Sequence, residues 1–142
     1  SNNLKEKLRV LDHISIYYLI TGSYAPVCFI TLNDYSGLPI FFTVLGLSIL
    51  GTIFKIFSVD RYNKLSLILY LLLGWLIVVD IDTLFSLLDS EAKNLLIAGG
   101  IFYTIGVLFY LLEKIKYNHA IWHIFVLLGS ISHYLLVLLY VI

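Results

Sequence analysis

Charge is what this chain has least of. Only 13% of its 142 residues are Asp, Glu, Lys or Arg, against 61% hydrophobic. Soluble domains carry about 25% charged and about 45–50% apolar residues. With a mean hydropathy of +0.98, a water-soluble globular domain is excluded. The nine basic and nine acidic residues cancel, so there is no basic footprint and nucleic acid is excluded as a partner. One cysteine, Cys28, allows no internal disulfide framework. There is no phosphate-binding glycine loop, no CxxC and no Ser-His-Asp spacing. Lys116 is the last lysine, so the final apolar run has none to hold a retinal-type pigment. Methionine is absent altogether. Two expectations follow: an initiator trimmed before Ser1, or a fragment of a longer protein. The polar N-terminus and the full length of the first apolar run argue against a secretory signal peptide.

What is present is five long uncharged runs. They are His13 to Asn33, Tyr35 to Phe54, Leu65 to Val79, Asn94 to Leu112 and Tyr117 to Ile142, of 21, 20, 15, 19 and 26 residues. A spanning helix needs about 20 mostly apolar residues. The third run reaches that length by extending past Asp80 and Asp82 into Thr83, Leu84 and Phe85. The expectation is one all-α, multi-pass transmembrane bundle with spans near 11–33, 37–57, 64–84, 93–112 and 117–142. The runs are too long, and alternate too little, for a β-barrel. Alternating sides places Lys5, Lys7, Arg9, Lys55, Arg61, Lys64, Lys114 and Lys116 together, with Lys93 alone opposite. The excess of positive charge predicts a cell-membrane protein with a cytoplasmic N-terminus. Tyr35, Tyr62, Tyr117 and Tyr140 fall near span ends, as an aromatic belt requires.

Ionisable groups within spans are functional candidates by default. His119 and His123 open the fifth span, four residues apart on one helical face, the spacing at which two imidazoles chelate one divalent ion. Water and lipid phosphate are the competing partners for such a pair. Asp12 and His13 open the first span at the same end of the bundle. Asp12 has three candidate roles: metal ligand, hydrogen-bond partner of a ligating histidine, or acceptor orienting a water. A first-turn acid facing the helix dipole is the plainer reading. His13 leaves the helix about 100° away from Asp12, so Asp12 is the candidate catalytic acid. His133 lies roughly 21 Å beyond His119, too far for the same ion, and is expected to bond a neighbouring helix or to line a polar track. Pro26, four residues after Gly22, predicts a kink. Gly46, Gly51, Gly74, Gly99, Gly100, Gly106 and Gly129 suit close helix contacts. Asp80 and Asp82, two apart, are no catalytic pair, and Cys28 reads as a packing residue.

The stretch Leu11-Asp12-His13-Ile14-Ser15-Ile16-Tyr17, followed by Leu19-Ile20-Thr21-Gly22-Ser23-Tyr24-Ala25-Pro26, resembles the third-helix signature of the hemolysin III family. His119-Ala120-Ile121-Trp122-His123-Ile124-Phe125-Val126 resembles its last-helix signature, and Gly74-Trp75 fits the middle span. The wider group includes the progestin and adipoQ receptors, among them the adiponectin receptors. The resemblance implies spans three to seven of a seven-span fold. It implies a zinc site near the cytoplasmic side, held by one histidine of the second span and by the last-helix pair, here His119 and His123. The acid near the zinc-held water matches Asp12. The first two spans, with their histidine and serine, have no counterpart here. Ala25 stands where many relatives have threonine.

Three functions remain open on this reading. One is a zinc-dependent hydrolase of lipid amides or esters, with a ceramide-like amide as substrate and membrane lipids as surroundings. Another is a membrane-perturbing cytolytic protein. The third is a receptor or regulatory scaffold with structural zinc. The two missing N-terminal spans, or a second copy, are the expected protein partners.

Overall fold

The computed structural model describes residues 2–57, 63–112 and 114–142. Its elements are α1 (Asn2–Pro26), α2 (Gly37–Phe57), α3 (Asn63–Gly74), α4 (Ile81–Leu87), α5 (Ser90–Leu111) and α6 (Asn118–Leu136). A π-turn over Val27–Thr31 follows α1, a 3-10 turn over Leu76–Asp80 joins α3 to α4, and a second π-turn over Val137–Val141 closes α6. No strand occurs among the described residues. Lipid offers backbone amides no partner, so uncharged Leu-, Ile- and Phe-rich runs satisfy them internally as helix. Five spans result: Lys7–Thr31, Gly37–Phe57, Leu65–Leu87, Ser90–Leu111 and Asn118–Val141. The all-α, five-span bundle is therefore the architecture found.

The boundaries shift in physically readable ways. The fourth span begins at Ser90, so Lys93 lies one turn inside α5, its ammonium 5.8 Å from the Phe85 ring centroid. The third span runs to Leu87. Arg61, Tyr62 and the side chain of Lys64, which carried part of the charge and aromatic-belt arguments, lie outside the described residues. Tyr35 and Tyr117 are exposed at span ends. Pro26, which cannot donate to the Gly22 carbonyl, ends α1, and the chain continues as a widened π-turn.

The third span is not one helix. It breaks after Gly74, and the Tyr24 hydroxyl of α1 repairs the break. It donates to the Leu73 carbonyl at 2.8 Å or the Gly74 carbonyl at 3.1 Å, and accepts from the Ile77 amide at 2.9 Å. Inside a membrane an interrupted helix survives only where protein satisfies the freed groups.

Small residues let the helices close. Gly106 of α5 faces Trp122 and Phe125 of α6, Gly129 faces Tyr103, Gly99 faces His133, and Gly51 of α2 faces Tyr17 of α1. Gly46 and Gly74 meet nothing within 4 Å, so these two are not helix contacts. Thr21 and Ser48 join α1 to α2 through a 2.9 Å hydrogen bond. Cys28 is fully buried as a packing residue. At one end of the bundle Asp80 accepts from Ser36 and, at 2.5 Å, from Thr83. At the other end the starts of α1, α3 and α6 converge.

Candidate metal centre

Asp12 lies in the third turn of α1, and His119 and His123 lie in the first two turns of α6. The start of α6 is pinned. The Asn118 amide donates to the Tyr110 carbonyl of α5 at 3.0 Å, while its side-chain oxygen accepts from the His119 amide at 2.8 Å. Tyr117, just before it, has φ 63, a left-handed turn unusual outside glycine that redirects the chain from α5 into α6. The imidazoles pack against aromatic rings. Trp122 is 5.2 Å from His119 and 4.5 Å from His123, and Tyr110 is 5.6 Å from His119, centroid to centroid.

The two histidines therefore share one face and meet the acid. His119 Nε2 stands 3.0 Å from His123 Nε2. Asp12 presents Oδ2 to His119 and Oδ1 to His123, each at 3.5 Å. All three donors fall within 4.8 Å of one another. A carboxylate and two imidazole nitrogens offer lone pairs to a common point. If both rings are neutral, at most two of these three contacts hold a proton. A divalent cation would satisfy all three. Zinc bonds of about 2.0–2.1 Å place tetrahedral donors roughly 3.3–3.4 Å apart. Separations of 3.0, 3.5 and 3.5 Å fit three corners of such a site. The side chains of Asp12, His119 and His123 are 27%, 48% and 42% exposed, so the fourth corner is reachable from outside.

His13 takes no part in this group. It is completely buried, its Nδ1 3.2 Å from the Tyr70 hydroxyl, which donates to the His13 carbonyl at 2.8 Å. Tyr70, Tyr110 and Trp122 surround its ring, and its Nε2 has no hydrogen-bond partner among the described residues. His133 is distant, its Nε2 3.4 Å from the Leu96 carbonyl of α5, the neighbouring-helix bond expected of it. Two residues at this end were not singled out from the sequence. Tyr70 is one, and Lys55, 1% exposed in the last turn of α2, is the other. Lys55 ends an otherwise uncharged run, which was the available signal, but a lysine at a span end reads as a headgroup anchor.

The family model described as Haemolysin-III related matches residues 1–134. The chain belongs to that family. It is 47% identical over 137 residues to Hemolysin-3 of Bacillus cereus, covering 96% of this chain and 63% of that protein. It is 40% identical over 136 residues to a Hemolysin-3 homolog of Bacillus subtilis (strain 168), covering 96% and 64%. Monocyte to macrophage differentiation factor of Homo sapiens is 29% identical over 147 residues, covering 92% and 57%. The chain thus spans somewhat under two thirds of the length of these relatives. No solved structure matches it. Family membership and the five apolar spans make this haemolysin-III relative a membrane protein.

Proposed function

We propose that this chain is the metal-holding, membrane-embedded part of a zinc-dependent hydrolase acting on lipid amides or esters, with the triad end of the bundle and the N-terminus in the cytoplasm. The carrying observation is the convergence of Asp12, His119 and His123 at separations suited to a tetrahedral ion with one corner open. Zinc held there supplies a Lewis acid for a carbonyl and lowers the pKa of water towards neutrality. His119 and His123 hold the ion, their rings fixed by Trp122 and Tyr110. Asp12 either completes the protein ligands or, where a further histidine is supplied by spans outside this chain or by a second copy, holds the attacking water and takes its proton. The open side suits a carbonyl arriving from the bilayer. An enclosed site with four protein ligands, as a purely structural zinc requires, fits this exposure less well. A pore-forming role finds less support, since the spaces between the helices are lined mainly by apolar side chains.

The test is metal analysis of the purified chain in mild detergent, beside a His119→Ala, His123→Ala double variant. About one zinc per chain, lost in the variant, is expected. A folded chain that takes up no zinc when supplied overturns the site. Where zinc binds, release of fatty acid from a short-chain ceramide is the next readout. Asp12→Asn should lower that rate by about a hundredfold or more; an unchanged rate removes Asp12 from the chemistry.

A further inference from the structure

Away from the metal group two half-open apolar cavities, of about 210 Å³ and about 60 Å³, lie between the helices. Six residues line both: Ser23, Tyr24, Gly74, Trp75, Gly100 and His133. The cavities therefore meet where the third span breaks. Broken helices near the middle of a membrane recur at binding sites, because unwound backbone is tolerated where it borders a cavity. The junction is also where His133, in the outer half of α6, projects. His133 packs over Gly99, where a Cβ would collide with its ring, and beside Tyr103, whose hydroxyl is held by Ser130 at 3.0 Å.

The hydrogen-bonding balance at this junction is lopsided. The Leu96 carbonyl can only accept, so His133 Nε2 donates to it, at 3.4 Å. Nδ1 of the uncharged ring is then an acceptor, and it has no partner among the described residues. The Ser23 hydroxyl proton goes to the Ile20 carbonyl at 2.8 Å, leaving its oxygen to accept. The Tyr24 hydroxyl is spent on the Leu73, Gly74 and Ile77 backbone. The Trp75 indole N–H goes to Thr104 at 3.1 Å. What is left over in an otherwise apolar space is acceptors without donors.

We propose that this junction is a binding site, separate from the metal centre, for a single-chain uncharged lipid carrying a hydroxyl group, which donates to His133 Nδ1 while its chain fills the two cavities. Trp122 and Tyr70 close the inner end of the smaller cavity and also pack against His13, so an aromatic layer lies between this site and the triad. His133 is ten residues beyond His123, about 15 Å along the helix. The site stands whether or not the metal centre is catalytic.

The test compares 1-dodecanol, 2-dodecanone and dodecane, equal in chain length, as ligands of the purified chain, read by the fluorescence of Trp75 and Trp122, both of which line the cavities, and by the shift in thermal midpoint. The alcohol should bind at least several-fold more tightly than the ketone, and the ketone about as weakly as the alkane, because the junction offers acceptors only. His133→Phe keeps ring bulk and should bring the alcohol down to the alkane. Gly100→Leu, whose added atoms enter the junction, should abolish binding of all three. The helical circular-dichroism signal and a cooperative thermal transition of each variant without ligand serve as the folding control, which does not depend on the metal. Equal binding of all three compounds overturns the recognition by His133, and no binding to a folded chain overturns the site itself. Full alcohol preference in His133→Phe assigns the acceptor elsewhere and overturns the role of the histidine.

Discussion

Two imidazole nitrogens 3.0 Å apart, with a carboxylate oxygen 3.5 Å from each, compete with protons for the same lone pairs that a metal needs. Metal ligation requires neutral histidine and ionised carboxylate. Acidification therefore weakens binding, because protons compete with the metal for the ligating nitrogens. Zinc retained by the chain at about pH 7.5 should be released on dialysis towards about pH 5, read by metal content. Zinc retained over that range to the same extent by the His119→Ala, His123→Ala variant would mean that the histidines are not ligands. The pair and the acid were legible from spacing, since four residues bring two side chains to one helical face. That Asp12 and His13 could not both face one site was readable too, from the angle separating neighbours on a helix. The buried surroundings of His13, with Tyr70 and Lys55, were not, because those residues come from other spans whose rotation the sequence leaves free.

At the scale of elements the third span is the informative one. Its sequence reads as a continuous apolar run, and Gly74 reads as a packing glycine. In the bundle it is the end of a helix, and the hydroxyl of Tyr24 carries the backbone groups that the break sets free. Tyr24→Phe removes the partner of the Ile77 amide and of the Leu73 carbonyl while keeping the ring. Leaving buried polar groups unsatisfied costs about 1–3 kcal/mol each. The variant should therefore show a lowered thermal midpoint and faster amide exchange confined to residues 73–78. Exchange unchanged there would mean that the break is satisfied without Tyr24. Composition could not locate this break, because the group that satisfies it belongs to a tyrosine 49 residues away in sequence.

For the whole molecule the open quantity is which end faces the cytoplasm. Lys5, Lys7, Arg9, Lys114 and Lys116 share the triad end, and Asp34, Asp80, Asp82 and Asp89 lie towards the other. The positive-inside rule therefore predicts a cytoplasmic triad end. Cys28, the single cysteine, is fully buried, which gives a clean background for labelling. In intact cells an impermeant maleimide should react with an Asp89→Cys variant and not with Lys114→Cys, which should label only after permeabilisation. The reverse pattern would invert the bundle and put the metal group on the outer side.

The sequence alone determined the class, the number of spans, the helical face carrying His119 and His123, and the depth they share with Asp12. These follow from local periodicity and from the cost of burying charge in lipid, both of which act along the chain. Only the tertiary structure decided that Asp12 faces the pair rather than the headgroups, and that Pro26 gives a widened turn. It alone decided that the third span is broken and that two cavities meet at His133. Each of these depends on how one helix is rotated and packed against another. In an apolar medium that packing is set by small-residue contacts and by scattered hydrogen bonds between spans, and hydropathy does not encode it.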